Sequence, residues 1–183
     1  MILVVEHDPA WADRFRALRA EYARAFAAAA VPVLAIEHVG STAVPGLAAK
    51  PVIDCDIVVA AADVAAASTV LVSLGFRPLG ELGIPQRWAF AEPARLAGTN
   101  TYVIVDGSLA LRNHRAVRDV LRADAGLRAE YARVKRGLAA SAADMDAYVA
   151  GKSAVLQRVL AAAGLSAQEQ AEILASQPTP NST

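Results

Sequence analysis

Two carboxylates one residue apart, Asp54 and Asp56, follow a Gly-Ser step at Gly40 and Ser41 in the run EHVGSTAVPGLAAKPVIDCDIVV, residues 37–59. The residues after Asp56 are apolar and β-branched, so the pair starts a strand. Alternation along a strand turns both acids to one face and Cys55 to the other. Two carboxylates converging on one face repel each other unless a positive charge lies between them. A hard divalent cation such as Mg²⁺, completed by substrate phosphates, supplies that charge. The Gly40-Ser41-Thr42 turn offers backbone N–H groups and hydroxyls for those phosphates. Such a set would carry out nucleotidyl transfer, with Asp54 and Asp56 as metal ligands and catalytic residues. The plainer alternative is a solvated strand end whose acids cap neighbouring turns.

Other residues join this set as candidates. His38 precedes the turn, either as a catalyst or as a satisfied structural histidine. Lys50 points into the same site or to solvent. Arg118 and Arg122 stand four apart and share a helix face, a fork suited to phosphate or carboxylate. Spacing alone equally allows a surface salt-bridge array. Cys55, between the acids, reads as a small core hydrophobe and not as a nucleophile.

The elements that must position these residues follow from pattern. Asp8-Pro9 opens a helix to about Ala30, with Trp11, Phe15, Leu18, Tyr22 and Phe26 on one apolar face. Strands are predicted over Val33–Val39, Val52–Val59, Phe76–Leu79, Arg87–Ala91 and Thr101–Val105, after a short β-like run at residues 2–5. A helix spans Asp63–Leu74. From Leu109 to Leu138 the pattern is helical with a break near Asp124–Gly126, and helices follow over Ala142–Ala163 and Leu165–Ala175. The order predicts an α/β (α+β) fold, a mixed β-sheet flanked by helices with a helical C-terminal third.

Length and composition set outer bounds. The 183 residues, 55% of them hydrophobic, suit one domain over 1–175 with a disordered tail, SQPTPNST, at 176–183. A formal net charge of zero argues against a general nucleic-acid binder but leaves room for a local basic pocket. The single cysteine precludes an internal disulfide and fits a cytoplasmic setting. MILVVEHDPAW lacks the features of a signal peptide. Ala25–Ile36 is too short and Pro-broken to span a bilayer. The expected partner is an anionic small molecule, a nucleotide or phosphometabolite, and not nucleic acid or membrane.

The HVGSTAVPGLAAKP string, with Arg87-Trp88, VRDVLRAD at 117–124, EYARVK at 130–135 and AYVAGKSAVLQRVL at 147–160, resembles the GrpB family and, more broadly, the nucleotidyltransferase superfamily. The resemblance covers roughly residues 5–163. It implies a nucleotidyltransferase-like core, Mg²⁺ at Asp54 and Asp56, and basic positions for an anionic substrate at Arg87, Arg118, Arg122, Lys135 and Lys152. One strand departs from the family: its Thr-His-x-x-His-like pattern is replaced here, with Asn100 and Val103 at the histidine positions. That strand also lacks the third carboxylate of a nucleotidyltransferase, with Glu92 and Asp106 the nearest acids. His114, in the basic stretch RNHRAVR, reads as exposed and as no substitute. The departure leaves three readings: a metal-dependent transferase acting on a nucleoside triphosphate and a small acceptor, a non-catalytic module binding a nucleotide or coenzyme A precursor, or a diverged amide- or ester-forming transferase.

Overall fold

The structure, a computed structural model, describes residues 3–141 and 151–176. Helix α1, Ala10–Ala28, starts where Asp8 Oδ1 accepts the Ala10 N–H at 2.9 Å and Pro9 already holds helical φ and ψ. Its stripe of Trp11, Leu18, Tyr22 and Phe26 is buried, with Phe15 packed partly exposed beside it. Each such side chain contributes ~1.5–3 kcal/mol on burial. The Tyr22 hydroxyl is satisfied by Thr101 Oγ1 at 2.6 Å.

The strands β1 (Ala35–Val39), β2 (Ile53–Val59), β3 (Arg77–Gly80), β4 (Arg87–Ala91) and β5 (Thr99–Val105) form one mixed sheet in the order β1-β2-β5-β4-β3. Only β2 and β5 run parallel, joined by a crossover that includes helix α2 (Val64–Ser73). The parallel register places Asp54 beside Asn100 and Asp56 beside Tyr102. One sheet face, with Ile53, Cys55, Ile57 and Val103, packs on α1 and α2 as the main core. The other face carries Asp54 and Asp56, with Val58 and Ile104 against helix α3 (Leu109–Ala123).

Several boundaries differ from pattern-based expectation, among them β1, which begins at Ala35 and not Val33, and β3, which is Arg77–Gly80 and not Phe76–Leu79. Strand β5 begins at Thr99, not Thr101, because pairing with Ile53 and Asp54 recruits the β-branched Thr99 and, despite its weak strand preference, Asn100. The run 2–5 contributes only an isolated bridge between Val5 and Ala49 among its described residues. The helical run from Leu109 does break at Asp124, whose backbone is extended and whose Oδ1 accepts the Leu127 N–H at the start of α4 (Ala125–Ser141). Of the predicted helix Ala142–Ala163, residues 142–150 lie outside the described residues, Gly151 and Lys152 form a turn, and α5 spans Ser153–Ala162. Helix α6, Ala167–Ala175, opens on a reciprocal cap between Ser166 and Glu169. Ser176, assigned above to the tail, closes α6 by donating its hydroxyl to the Ile173 carbonyl. The remainder of the predicted tail, 177–183, lies outside the described residues.

Candidate functional site

The acids sit where β1 turns away from the sheet. Gly40 holds φ 69° and ψ −171°, a region open essentially to glycine alone. A Cβ there would stand 2.2 Å from Asp54 Oδ2, so the turn lies directly against the carboxylate. Asp54 Oδ1 accepts a 2.8 Å hydrogen bond from Asn100 Nδ2 across the parallel register. Burial pushes the Asp54 carboxyl above its usual range, and the neighbouring Asp56 adds to this, while Asn100, His114 and Lys135 oppose it.

Asp56 is fully buried. Its Oδ2 accepts from His114 Nδ1 at 2.8 Å, and its Oδ1 has no hydrogen-bond partner among the described residues. His114 is therefore not the exposed residue that its basic neighbours suggested. Burial works against its charge, but the Asp56 carboxylate outweighs burial and raises its pKa. Tyr102 lies edge-on to the imidazole at 5.8 Å, and the Arg87 guanidinium sits over the Tyr102 ring at 4.6 Å.

A cleft of about 380 Å³ opens over this corner. Its lining combines the turn Gly40, Ser41 and Thr42 with Asp54 and Asn100, and also includes Lys50, Lys135 and Lys152 with Tyr131. Lys135 is only 4% exposed, with its ammonium 5.6 Å from the Tyr131 ring centre. Burial, Lys152 and Lys50 bring the Lys135 ammonium down to about 7, with Asp54 resisting. Lys152 is brought down to about 8, again by burial first and Lys50 second. Lysines this close to neutrality are poised to recover full charge beside a polyanion.

The other sequence candidates are placed outside this cleft's walls. His38 Nε2 lies 3.0 Å from Thr42 Oγ1, which itself donates to the Val52 carbonyl. The Thr42 proton is thus committed, and His38 must be the donor to that oxygen. Stacked on Phe15 at 4.6 Å and lowered to about 4 by burial with Arg122 and Arg118 nearby, His38 is a neutral brace behind the turn. Arg118 bonds Glu37, Asp119 and the His38 carbonyl. Arg122 directs Nε and Nη2 to the Ala43 carbonyl at 2.9 and 2.7 Å. With Arg115, which also grips Glu37, they bind α3 to β1 and the phosphate-type turn. Val103 is buried on the α1–α2 face, so a side chain there cannot reach the cleft by register. Asn100 is the one altered family position that does line it.

Sequence reasoning missed His114, Tyr102 and Glu37. A signal for His114 existed: it precedes Arg118 and Arg122 by four and eight residues, on the helix face already singled out.

The family model described as GrpB protein matches residues 1–162. A UPF0157 protein of Streptomyces coelicolor is 36% identical over 87% of this chain and 82% of its own length. The UPF0157 protein YqkA of Bacillus subtilis is 35% identical over 66% of this chain, which spans only 36% of that longer relative. A dephospho-CoA kinase of Mycolicibacterium paratuberculosis is 33% identical over 82% of this chain and 43% of its own. Among solved structures, a conserved protein GrpB from Enterococcus faecalis superposes with a TM-score of 0.76 at 25% identity, covering 88% of this chain and 96% of that one. Cid1 in complex with its short product ApU gives 0.51 at 15% identity over 74% and 42%, and the GLD-2/RNP-8 complex 0.54 at 18% over 85% and 60%. At those identities the likeness carries the fold alone, and the fold is that of the nucleotidyltransferases.

Proposed function

This chain belongs to the GrpB family, and from that premise we propose that it is a transferase whose cleft holds the phosphates of a nucleoside triphosphate and presents them, with Mg²⁺, to a small acceptor. The observation that carries the reading is the shared lining of one cleft: the Gly40–Thr42 turn and Asp54 together with Lys50, Lys135 and Lys152. Cationic side chains sharing a cleft with a carboxylate and a glycine turn fit a metal-bridged polyphosphate better than a neutral ligand.

The donor set fits such an ion. Asp54 and Asp56 share one strand face, and the buried Asp56 Oδ1 has no hydrogen-bond partner among the described residues. No group of three or more His, Cys, Asp or Glu side chains converges for a metal among the described residues, so phosphate oxygens and water would complete the shell. When bound, the ion neutralises phosphate charge and polarises the phosphorus–oxygen bonds. The chain's own residues do the rest. The turn's N–H groups orient the phosphates, and the lysines take up charge as phosphate leaves. The acceptor's oxygen or nitrogen forms a bond to phosphorus as the bond to the departing phosphates breaks, and its proton passes to solvent.

A second reading is favoured by one residue. Asn100 stands beside Asp54, on the strand where a third carboxylate is expected, and an amide cannot take a proton. On this reading the same cleft binds a nucleotide or coenzyme A precursor without turnover, and the relative named dephospho-CoA kinase is compatible with such an auxiliary role.

Calorimetric titration of the protein with ATP and with CTP, with and without Mg²⁺, tests the proposal. Metal-dependent binding that Asp54→Asn weakens at least tenfold supports the transferase reading. Binding indifferent to both metal and substitution overturns it, and tight metal-free binding favours the second.

A further inference from the structure

Of the 18 lysines and arginines in the chain, only Lys50, Lys135 and Lys152 are lysines. All three line the same cleft. Arginine serves at every other such position, including Arg118 and Arg122, which brace the cleft's turn from α3. Holding phosphate does not explain that division. A guanidinium grips phosphate through two parallel N–H bonds and keeps its charge at any ordinary pH. What an amine adds is the capacity to shed its proton and act as a nucleophile.

Lys135 is the lysine best placed to do so. It is 4% exposed, whereas Lys50 and Lys152 are half-buried. Its Nζ stands 5.6 Å from the Tyr131 ring centre and within electrostatic reach of Lys152, Asp54 and Lys50, all four of them lining residues. Burial first, then the two neighbouring ammoniums, bring it to about 7 against the pull of Asp54. Much of this side chain is therefore a free amine in neutral buffer, as long as no polyanion restores its proton.

We propose that Lys135 is an imine-forming amine and that the cleft takes a small aldehyde carrying a phosphate. The inference rests on the phosphate-holding part of the reading above and not on transfer. A carbonyl is an electrophile that an amine joins without a leaving group or an activated donor. The Lys135 nitrogen adds to the carbonyl carbon and gives a carbinolamine. Loss of water, with one proton drawn from solvent, leaves a protonated imine. The phosphate end follows from the Gly40–Thr42 turn, with Lys50 and Lys152 supplying charge. A volume of about 380 Å³ suits a phosphate on a short carbon body or a single ring. Nucleotide, which favours the protonated amine, would compete with the aldehyde.

Reductive trapping on the full chain tests this. Pyridoxal 5′-phosphate and pyridoxal are the probes, borohydride fixes the imine, and peptide mass mapping locates it. Three lysines and the α-amino group are the chain's only aliphatic amines, so the map is simple to read. The adduct is expected at Lys135, at a concentration at least tenfold lower for the phosphorylated aldehyde. Its rate should level off above pH 8, where a lysine titrating near 10.5 would still be gaining. Lys135→Arg, which keeps the charge without the amine, and Lys135→Met should both lose the adduct, and Lys152→Arg should keep it. Trapping of wild type chiefly at Lys50, Lys152 or the α-amino group, or equal trapping of the two aldehydes, overturns the proposal. Trapping at Lys135 while calorimetry finds no ATP or CTP binding leaves the proposal standing and overturns the transferase reading. Metal-dependent nucleotide binding with no trapped Lys135 does the reverse.

Discussion

His114 Nδ1 donates to Asp56 Oδ2 across 2.8 Å, joining helix α3 to strand β2 across a sequence separation of 58. The carboxylate is fully buried and the imidazole is 19% exposed, so the pair is a solvent-poor link between the layers. Removing one member of such a pair leaves the other buried and uncompensated, at a cost of ~3–5 kcal/mol. His114→Ala is expected to lose about that much in urea unfolding at pH 6, whereas a Leu pair at 56 and 114 recovers most of it. The raised folded pKa of His114 fixes the sign with pH. Its ionic contribution is fully present below the unfolded value near 6.5 and is lost as pH climbs through the folded value, although the neutral ring still donates. The stability gap between wild type and His114→Ala should therefore narrow in alkaline buffer.

Gly40 and Gly46 offer a matched comparison within the loop between β1 and β2. Both hold positive φ, but only at Gly40 does a Cβ meet Asp54 Oδ2; at Gly46 nothing lies within 4 Å. Gly46→Ala should cost only the backbone strain, ~1–3 kcal/mol. Gly40→Ala should cost more in thermal unfolding and should also displace the carboxylate. Nucleotide affinity is expected to fall at least tenfold for Gly40→Ala and less than threefold for Gly46→Ala.

Lys135 trades stability for binding. In the unfolded chain it titrates near 10.5, in the folded chain near 7. Between those values the unfolded chain binds more protons, so stability rises with pH across that window. Lys135→Met should abolish this rise and raise the melting temperature at pH 7 by a few degrees while weakening triphosphate binding. Titrations of wild type at pH 8 in buffers of different ionisation enthalpy should show net proton uptake on nucleotide binding, and Lys135→Met should show less.

The arginines of α3 separate positioning from contact. Arg118 and Arg122 are committed to Glu37, Asp119 and the carbonyls of His38 and Ala43. Arg122→Ala leaves the Ala43 carbonyl short of both its bonds and should destabilise the protein by ~1–2 kcal/mol in denaturant. Direct phosphate contact by these residues would instead lower nucleotide affinity with stability unchanged.

What the sequence could reveal was what is local. The Gly-Ser turn, the Asp-x-Asp strand, the inward Cys55 and the aromatic stripe of α1 each follow from alternation, helical period or turn chemistry within a few residues. What it hid was what depends on register and packing. Whether Asn100 or Val103 meets the acids is decided by the parallel pairing of β2 with β5, which no local pattern encodes. His114 looked exposed because its neighbours are basic, yet its place on the helix face aims it at Asp56. The arginine pair was read correctly as one helix face, but its partners, a strand glutamate and turn carbonyls, lie about 80 residues away. Tertiary contacts of that separation leave no trace in spacing.

The central claim is that the Gly40–Thr42 turn with Asp54 and the three lysines grip one polyphosphate between them. A crystal structure with Mg²⁺ and a non-hydrolysable analogue of ATP or CTP tests it most directly. The account predicts phosphate oxygens within hydrogen-bond reach of the Gly40–Thr42 backbone and of Lys135 or Lys152, and an ion at Asp54. A nucleotide bound elsewhere on the protein, with this cleft holding only water at saturating ligand, would contradict it.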